Sequence, residues 1–270
     1  MAPFLHKKLL ICAGGVVGVL IVALVTLPFL IDMNAYKPGI IAEAKQATGR
    51  DLAIEGPIQL SLLPLPVVRL NGVRFASPPD AKDPSMVEAK SIAVRLSLLA
   101  LITGSIEATE ATLVAPRINL EVDAAGQANW AFAPSAGGAG ALPVRDVRVE
   151  DGTFTFSDAQ TGLSVVATKV NFIASAGSMS GPFALAGSAS IDGSPLKFDL
   201  ALGARGPAGH DIDVSLEAAG GRLGYIGTLS DLAPDARLSC KASASADNLV
   251  LFVETLAGMA GQPRPSVPPL

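Results

Sequence analysis

An uncharged run near the amino terminus constrains this chain more than any other feature. Residues 9–31, LLICAGGVVGVLIVALVTLPFLI, contain no charged side chain, and about 20 apolar residues suffice for a helix to cross a bilayer. Lys7 and Lys8 precede the run, and Asp32 follows it. Because positively charged flanks remain in the cytoplasm, the sequence predicts a single-pass inner-membrane anchor, with the chain from Asp32 onward in the periplasm.

A cleaved signal peptide is the alternative interpretation of the same run. Signal peptides have an apolar region of about 7–15 residues that ends at a small-x-small cleavage site. This run is longer and ends in TLPFLID, without such a site, so we favour an uncleaved anchor. Gly14 and Gly18 form a G-x-x-x-G pattern, which pairs some membrane helices but is a weak signal because glycine is common in them.

The chain is slightly acidic and unusually apolar. Its net charge of -4 argues against a nucleic-acid partner, which would require a basic patch. Charged residues make up 16% of the chain and the mean hydropathy is +0.46, of which the anchor supplies only a part. The remainder indicates either a large core or a surface that meets an apolar partner.

Cysteine and histidine are too sparse to form a cross-link or a metal centre. Cys12 lies in the predicted anchor, so Cys240 has no exported partner for a disulfide, and we expect its thiol to be buried. His6 and His210 are the two histidines and lie far apart in the sequence. We therefore expect neither a metal site nor a cofactor.

Past the anchor, residues 34–48 have the periodicity of a helix. Pro38 fits its first turn, and Gly49 fits its carboxyl-terminal end. This helix either plugs the end of a sheet or lies on the membrane surface. Two further short helices are predicted, at residues 98–104 and 247–258.

From Arg50 onward the period changes to two, which is typical of strands with one buried face. Short strands with glycine- and proline-bearing turns, and no room for helical crossovers, predict a mainly β protein with an antiparallel sheet. Its apolar face must be covered by a helix, a second sheet or a ligand, as in a sandwich or an open groove. The candidate residues of that face are Ile58, Leu60, Leu62, Ile92, Val94, Leu96, Ile118, Leu120, Leu196, Phe198, Leu200, Leu202, Ile212, Val214 and Leu216.

Three local predictions follow from turn residues and from alternation. Asn71-Gly72 predicts a hairpin turn, and Asp151-Gly152 predicts a turn into the strand that follows. In a later strand, one face is predicted to hold Val166, Thr168, Val170 and Phe172.

The chain divides at a small-residue segment, APSAGGAGALP, which has no periodicity. The predicted parts are a cytoplasmic stretch (1–8), the anchor (9–31), a helix with a β domain (32–132), the linker (133–143), a second β region (144–262) and a proline-rich, extended tail (263–270).

No catalytic motif is present in the sequence. It lacks H-E-x-x-H, G-x-G-x-x-G, a P-loop and G-x-S-x-G, and no Cys/His cluster has metal-ligand spacing. Acidic residues fall mostly on the polar sides of strands or in turns, which is typical of solvated surface. The sequence therefore predicts a protein that is not an enzyme.

Several segments resemble the AsmA family, in order and at family-like spacing, over residues 7–262. They are LIDMNAYKPGIIAEAKQATGRDL, the region ATGRDLAIEGPIQLSLLPLPVVRLNGVRF, RLSLLALITGSIEATEATLVAPRINLEVDAAGQANWAF and, after the linker, VRDVRVEDGTFTFSDAQTG.

The resemblance implies a periplasmic β-structured protein of a Gram-negative bacterium. Members of the family are regarded as relatives of bridge-like lipid-transfer proteins, which carry phospholipid acyl chains along an apolar groove in a curved sheet. The family is tied to outer-membrane lipid homeostasis and assembly. Its members are usually much longer than this chain, in which about fifteen strands at ~4.8 Å each would form a groove of at most ~70 Å.

Two functional hypotheses from different classes follow. The first is an inner-membrane-anchored periplasmic protein that binds or transports phospholipid in an apolar β groove. The alternative is a non-lipid scaffold or assembly factor for outer-membrane and other envelope proteins, with a closed β core. Lipid that co-purifies with the protein distinguishes them.

The predicted topology has a direct test. A reporter that is active only in the cytoplasm should stay inactive when it is fused to the carboxyl terminus, because Lys7 and Lys8 hold the other end of the anchor inside. An active reporter would contradict the orientation. A mature chain that begins near Asp32 would instead indicate a cleaved signal peptide.

Overall fold

The computed structural model describes Thr26 and residues 32–131, 144–178, 181–207, 209–231 and 236–259. The rest of the predicted anchor with its G-x-x-x-G pair, the linker and the proline-rich tail lie outside the described residues. Within the described ranges, no helix is both long enough and apolar enough to cross a membrane.

The helices are few and short, as the periodicity predicts. They are a 3-10 turn at Met33–Tyr36, α1 (Lys37–Thr48), α2 (Leu98–Ile102) and α3 (Leu249–Met259). Pro38 occupies the first turn of α1, where a missing N–H costs no helical hydrogen bond. Gly49 ends this helix with a φ of 71°, a left-handed conformation that glycine adopts without steric cost.

Thirteen strands form one curved sheet in the described part of the chain. They are β1 (Leu52–Ile54), β2 (Ile58–Ser61), β3 (Val67–Ala76), β4 (Ser85–Leu96), β5 (Ala108–Val114), β6 (Arg117–Val122), β7 (Asp146–Asp158), β8 (Ser164–Ala176), β9 (Phe183–Ile191), β10 (Ser194–Gly206), β11 (Gly209–Ala218), β12 (Gly221–Leu229) and β13 (Leu238–Ala246). The order is β1-β3-β4-β5-β7-β8-β9-β10-β11-β12-β13, and β2 pairs with β3 while β6 pairs with β4 and β7.

The sheet continues across the linker and is not wholly antiparallel. Strand β7, the first described strand after the linker, pairs in parallel with β5 and β6, which precede it. The prediction of an antiparallel sheet is therefore confirmed for the other strand pairs and is wrong for these two. A parallel pair requires a connection of about a dozen residues or more, and residues 123–145 between β6 and β7 exceed that length.

Both predicted turns at Asn71-Gly72 and Asp151-Gly152 are wrong, because strands β3 and β7 run through them. Gly72 has a φ of 61° and Asp151 has a φ of 52°, and the register of β7 with β8 shifts beside Gly152. A residue with positive φ serves a tight turn and a β-bulge equally well. The sequence thus indicates a positive φ at both positions, but the chain uses it at a bulge in β7 and within the continuous register of β3 with β4.

A second bulge lies beside the first, in strand β8. Lys169 has a φ of 50°, and the register with β9 shifts between Thr168 and Asn171. The extra residue turns Val166 and Thr168 to the side of the sheet opposite to Val170 and Phe172, so the prediction that all four share one face is wrong. The Asn171 side chain joins the two bulges, since its Oδ1 accepts from the Asp151 N–H at 2.9 Å and its Nδ2 donates to the Lys169 carbonyl at 2.9 Å.

Few large apolar side chains are buried in the described residues, and one of them anchors α3. Phe252 is 2% exposed, and its ring covers Gly221, where any Cβ would collide with the ring. Ala218, the register partner of Gly221, is buried at the same place. The two small residues therefore allow α3 to approach the sheet closely.

The free thiol of Cys240 is exposed, so the prediction of a buried cysteine is wrong. Cys240 lies in β13, the last strand in the order of the sheet, where nearly every residue is exposed. An alternation of alanine and serine in this strand supplies too little apolar surface to bury its neighbours.

Replacement of Phe252 by alanine should release α3 from the sheet. Loss of a buried phenylalanine side chain typically costs about 3–5 kcal/mol, because it leaves a cavity, and amide hydrogen exchange in α3 should accelerate by about a hundredfold or more. Leu251→Ala is the matched control, since Leu251 is 50% exposed in the same helix. Equal protection of α3 in the two variants would contradict this packing.

Candidate functional site

Register partners align one row of residues across eleven strands, from β2 to β13. Partners on neighbouring strands project to the same side of a sheet, as Phe198 and Leu216 do in β10 and β11. The row consists of Ile58, Leu70, Ile92, Leu113, Val149, Phe172, Gly187, Phe198, Leu216, Leu223 and Ala244.

A second row runs beside the first on the same side of the sheet. It consists of Leu60, Val68, Val94, Ala111, Val147, Ala174, Leu185, Leu200, Val214, Tyr225 and Ala242. Neither row contains a charged residue, and only Tyr225 carries a polar group. We call the side of the sheet that bears these two rows the apolar face.

The opposite side of the sheet is polar. Arg95 and Arg148 both contact the carboxylate of Glu110, at 2.6 and 3.5 Å respectively. Lys197 and Asp199 alternate with the apolar residues of β10 and are exposed. The two sides thus differ in charge over several strands, although exposed apolar side chains also occur on the charged side, at Val166, Ile173 and Ile226.

The structure brings the sequence-predicted face residues together on the apolar face, with one exception. Leu62 follows the end of β2 and belongs to no strand. Ile118 and Leu120 of β6 join the face through their partners Phe154 and Phe156. The remaining residues lie in strands β2, β4, β10 and β11 and are Ile58, Leu60, Ile92, Val94, Leu96, Leu196, Phe198, Leu200, Leu202, Ile212, Val214 and Leu216.

Aromatic residues of β7 and β8 belong to this face, although sequence reasoning did not place them in the site. Phe154 and Phe172 contact each other with ring centroids 6.1 Å apart, and Phe156 lies 6.3 Å from Trp130. The bulges at Asp151 and Lys169 interrupt simple alternation in these strands, and this interruption conceals their apolar side. The residues of β7 and β8 that belong to the apolar face are identified by the register of β8 with β9, because β9 pairs with β10 without a bulge.

The middle of the apolar face is partly exposed. Phe198, Leu200, Val214 and Leu216 all retain some access to solvent, whereas Val149 in the first row is 2% exposed. Helix α3 covers the end of the face at Gly221. An apolar surface of this extent that is left accessible is typical of a site for an apolar partner.

Glycine makes a notch in the middle of the first row. Gly187 lies between Phe172 and Phe198, its register partners on the two sides. A Cβ at Gly187 would collide with the Asn171 carbonyl and with Phe172. The two phenylalanine rings are therefore separated by a position without a side chain, where the face is lower than its surroundings.

The titratable side chains of the described residues do not form a metal centre. No group of three or more His, Cys, Asp and Glu side chains in these ranges is arranged to hold a metal ion. The pKa of the exposed Asp158 carboxyl is lowered, because the Thr161 hydroxyl and the Gln160 N–H both donate to it at 2.8 Å. Those bonds belong to the turn between β7 and β8.

Comparison with known sequences identifies one family. The sequence model of the AsmA family matches residues 6–177, which is well over half of the chain. No curated protein matches the chain.

An aspartate at Phe198 should leave the fold intact, because a partly exposed position lets the new carboxylate reach water. Val149→Asp is the matched control in the same row, and it should unfold the protein because it buries an unpaired charge. We expect thermal melting to separate the two variants clearly. If Phe198→Asp unfolds as Val149→Asp does, a covering layer closes the apolar face.

Proposed function

We propose that this protein, which belongs to the AsmA family, binds or transports phospholipid by holding acyl chains against its apolar face. In this proposal the chain is anchored in the inner membrane, its bulk lies in the periplasm, and it contributes to outer-membrane lipid homeostasis. The observation that carries the proposal is the pair of uncharged rows that crosses eleven strands and stays partly exposed around Phe198.

The physical case rests on the match between acyl chains and the residues of the face. Each methylene group that leaves water contributes about 0.8 kcal/mol, so the gain grows with the length of chain in contact. The leucine, isoleucine, valine and phenylalanine side chains make such contacts without presenting a charge. A polar ligand would lose its hydration here and find few hydrogen-bonding partners in return.

The dimensions of the face suit an elongated ligand. Eleven strands with a spacing of about 4.8 Å extend for about 48 Å across the sheet. Along β10 the apolar residues Leu196, Phe198, Leu200 and Leu202 extend for about 20 Å, at about 3.4 Å per residue. The face is therefore longer across the strands than along them.

The proposal is tested by photo-crosslinking in living cells with the full chain. A photoreactive amino acid at Phe198 should form adducts with phospholipid, because this position projects from the apolar face. The same amino acid at Asp199 is the matched control, since Asp199 is the next residue of β10 and projects from the polar side. Protein adducts without lipid adducts at Phe198 would instead support the scaffold hypothesis.

Lipid retention gives a second, quantitative measurement. Phe198→Asp should lower the amount of phospholipid that is extracted from the purified full chain, while Ala201→Asp should not. Ala201 is exposed in the same strand and pairs with Asp213 on the polar side, so the two variants add the same charge to opposite faces. Equal lipid content in both variants would refute binding on the apolar face.

A further inference from the structure

One end of the sheet carries a cluster of large apolar side chains that project into solvent. Leu99, Ile102 and Ile106 are 73%, 74% and 67% exposed, respectively. We call this cluster the tip. It consists of Leu63, Leu65, Leu98, Leu99, Ile102 and Ile106, all of them exposed.

The tip is built from two loops that lie side by side. One loop joins β2 to β3, and the other contains α2 and joins β4 to β5. The Leu96 N–H donates to the Pro66 carbonyl at 2.9 Å, and the Ser97 N–H donates to the Glu107 carbonyl at 2.8 Å. The first bond joins the bases of the two loops and the second closes the base of the loop that contains α2, so their apolar residues lie at the same end of the sheet.

The two loops contain a single charged residue, Glu107, which lies at the base of the loop that contains α2. No charge occurs between Glu55 and Arg69, or between Arg95 and Glu107. The Ser97 hydroxyl accepts from the Ala100 N–H at 3.3 Å, and the Thr103 hydroxyl donates to the Ala100 carbonyl at 2.9 Å. Polar atoms of α2 are thus satisfied within the loop, while leucine and isoleucine face outward.

Asp32, which follows the predicted anchor in the sequence, precedes a segment that contacts β2, the strand that leads to the tip. Asp32 is the first described residue of the continuous chain, and its side chain accepts from the Asn34 N–H at 3.0 Å. Asn34 Oδ1 accepts in turn from the N–H of Ile58 at 3.1 Å, and Ile58 begins the four-residue strand that leads into the first loop of the tip. Helix α1 then leads away, toward Arg50, which donates to the Asn129 carbonyl at 3.0 Å.

We propose that the tip inserts into the bilayer in which the chain is anchored. An exposed apolar cluster without charges matches the interface of a membrane, where leucine and isoleucine leave water for the acyl region. The location of Asp32 near the same end places the tip within reach of that bilayer. This inference concerns a different surface from the apolar face, and it does not require that the face bind lipid.

Fluorescent labelling of the full chain in nanodiscs tests the proposal. Cys12 and Cys240 are first replaced by alanine and serine, and an environment-sensitive fluorophore is attached to a single cysteine at Leu99 or Ile102. In discs of phosphatidylethanolamine and phosphatidylglycerol, the emission should shift to the blue, and lipids with a nitroxide on the acyl chain should quench it. Circular dichroism checks that each labelled variant is folded.

A label at Val166 is the matched control. Val166 is an exposed apolar residue in β8, at the end of the sheet away from the tip. Its label should keep the emission of an aqueous environment and should not be quenched. Tip labels that remain in water in these nanodiscs would overturn the proposal, as would equal quenching at Val166.

Charge at the tip supplies an independent arm of the test. Leu99→Glu in the variant labelled at Ile102 should abolish the blue shift and the quenching, because a carboxylate resists transfer into the acyl region. Unchanged quenching in that variant would show that proximity to the anchor, and not insertion of the tip, brings the label near lipid. Loss of lipid from the apolar face would change neither measurement.

Discussion

The main-chain hydrogen-bond ladder is the interaction on which the rest of this molecule depends. Successive strands from β1 to β13 are held by their neighbours in the sheet, and the side chains around Phe198 are only partly buried. A closed sandwich derives much of its stability from side chains packed between two layers. Here the ladder keeps apolar residues in rows, so the property that organises the sheet also creates the surface proposed to bind lipid.

Bulges complicate the ladder without ending it. The positive-φ residues Asp151 and Lys169 lie in neighbouring strands and are linked by Asn171. Each bulge adds one residue to its strand, so the residues that project to the apolar face change from odd-numbered to even-numbered or the reverse. The apolar face stays continuous because both strands make this change at nearly the same level. Bulges also increase local twist, so a pair of them at one level is a natural cause of curvature in a sheet.

The sequence predicts regular strands well and irregular ones poorly. Period two alone predicts that Phe198 and Leu216 lie on one face, and their strands have continuous register over that region. The predicted turns at Asn71-Gly72 and Asp151-Gly152 are wrong because residues that adopt a positive φ occur within strands as well as in turns. Parallel pairing of β7 and the exposure of Cys240 depend on which strands are neighbours, and a single sequence carries little information about that order.

Because strands are held pairwise, a substitution in one strand affects the stability of the other strands unequally. Because each strand is bonded mainly to the two beside it, stability resembles a sum over adjacent interfaces, as in repeat proteins. A destabilising substitution in β3 should then lower the stability of β4 more than the stability of β11. Strands that lie far apart in the sheet can therefore vary in sequence with a degree of independence that a globular core does not permit.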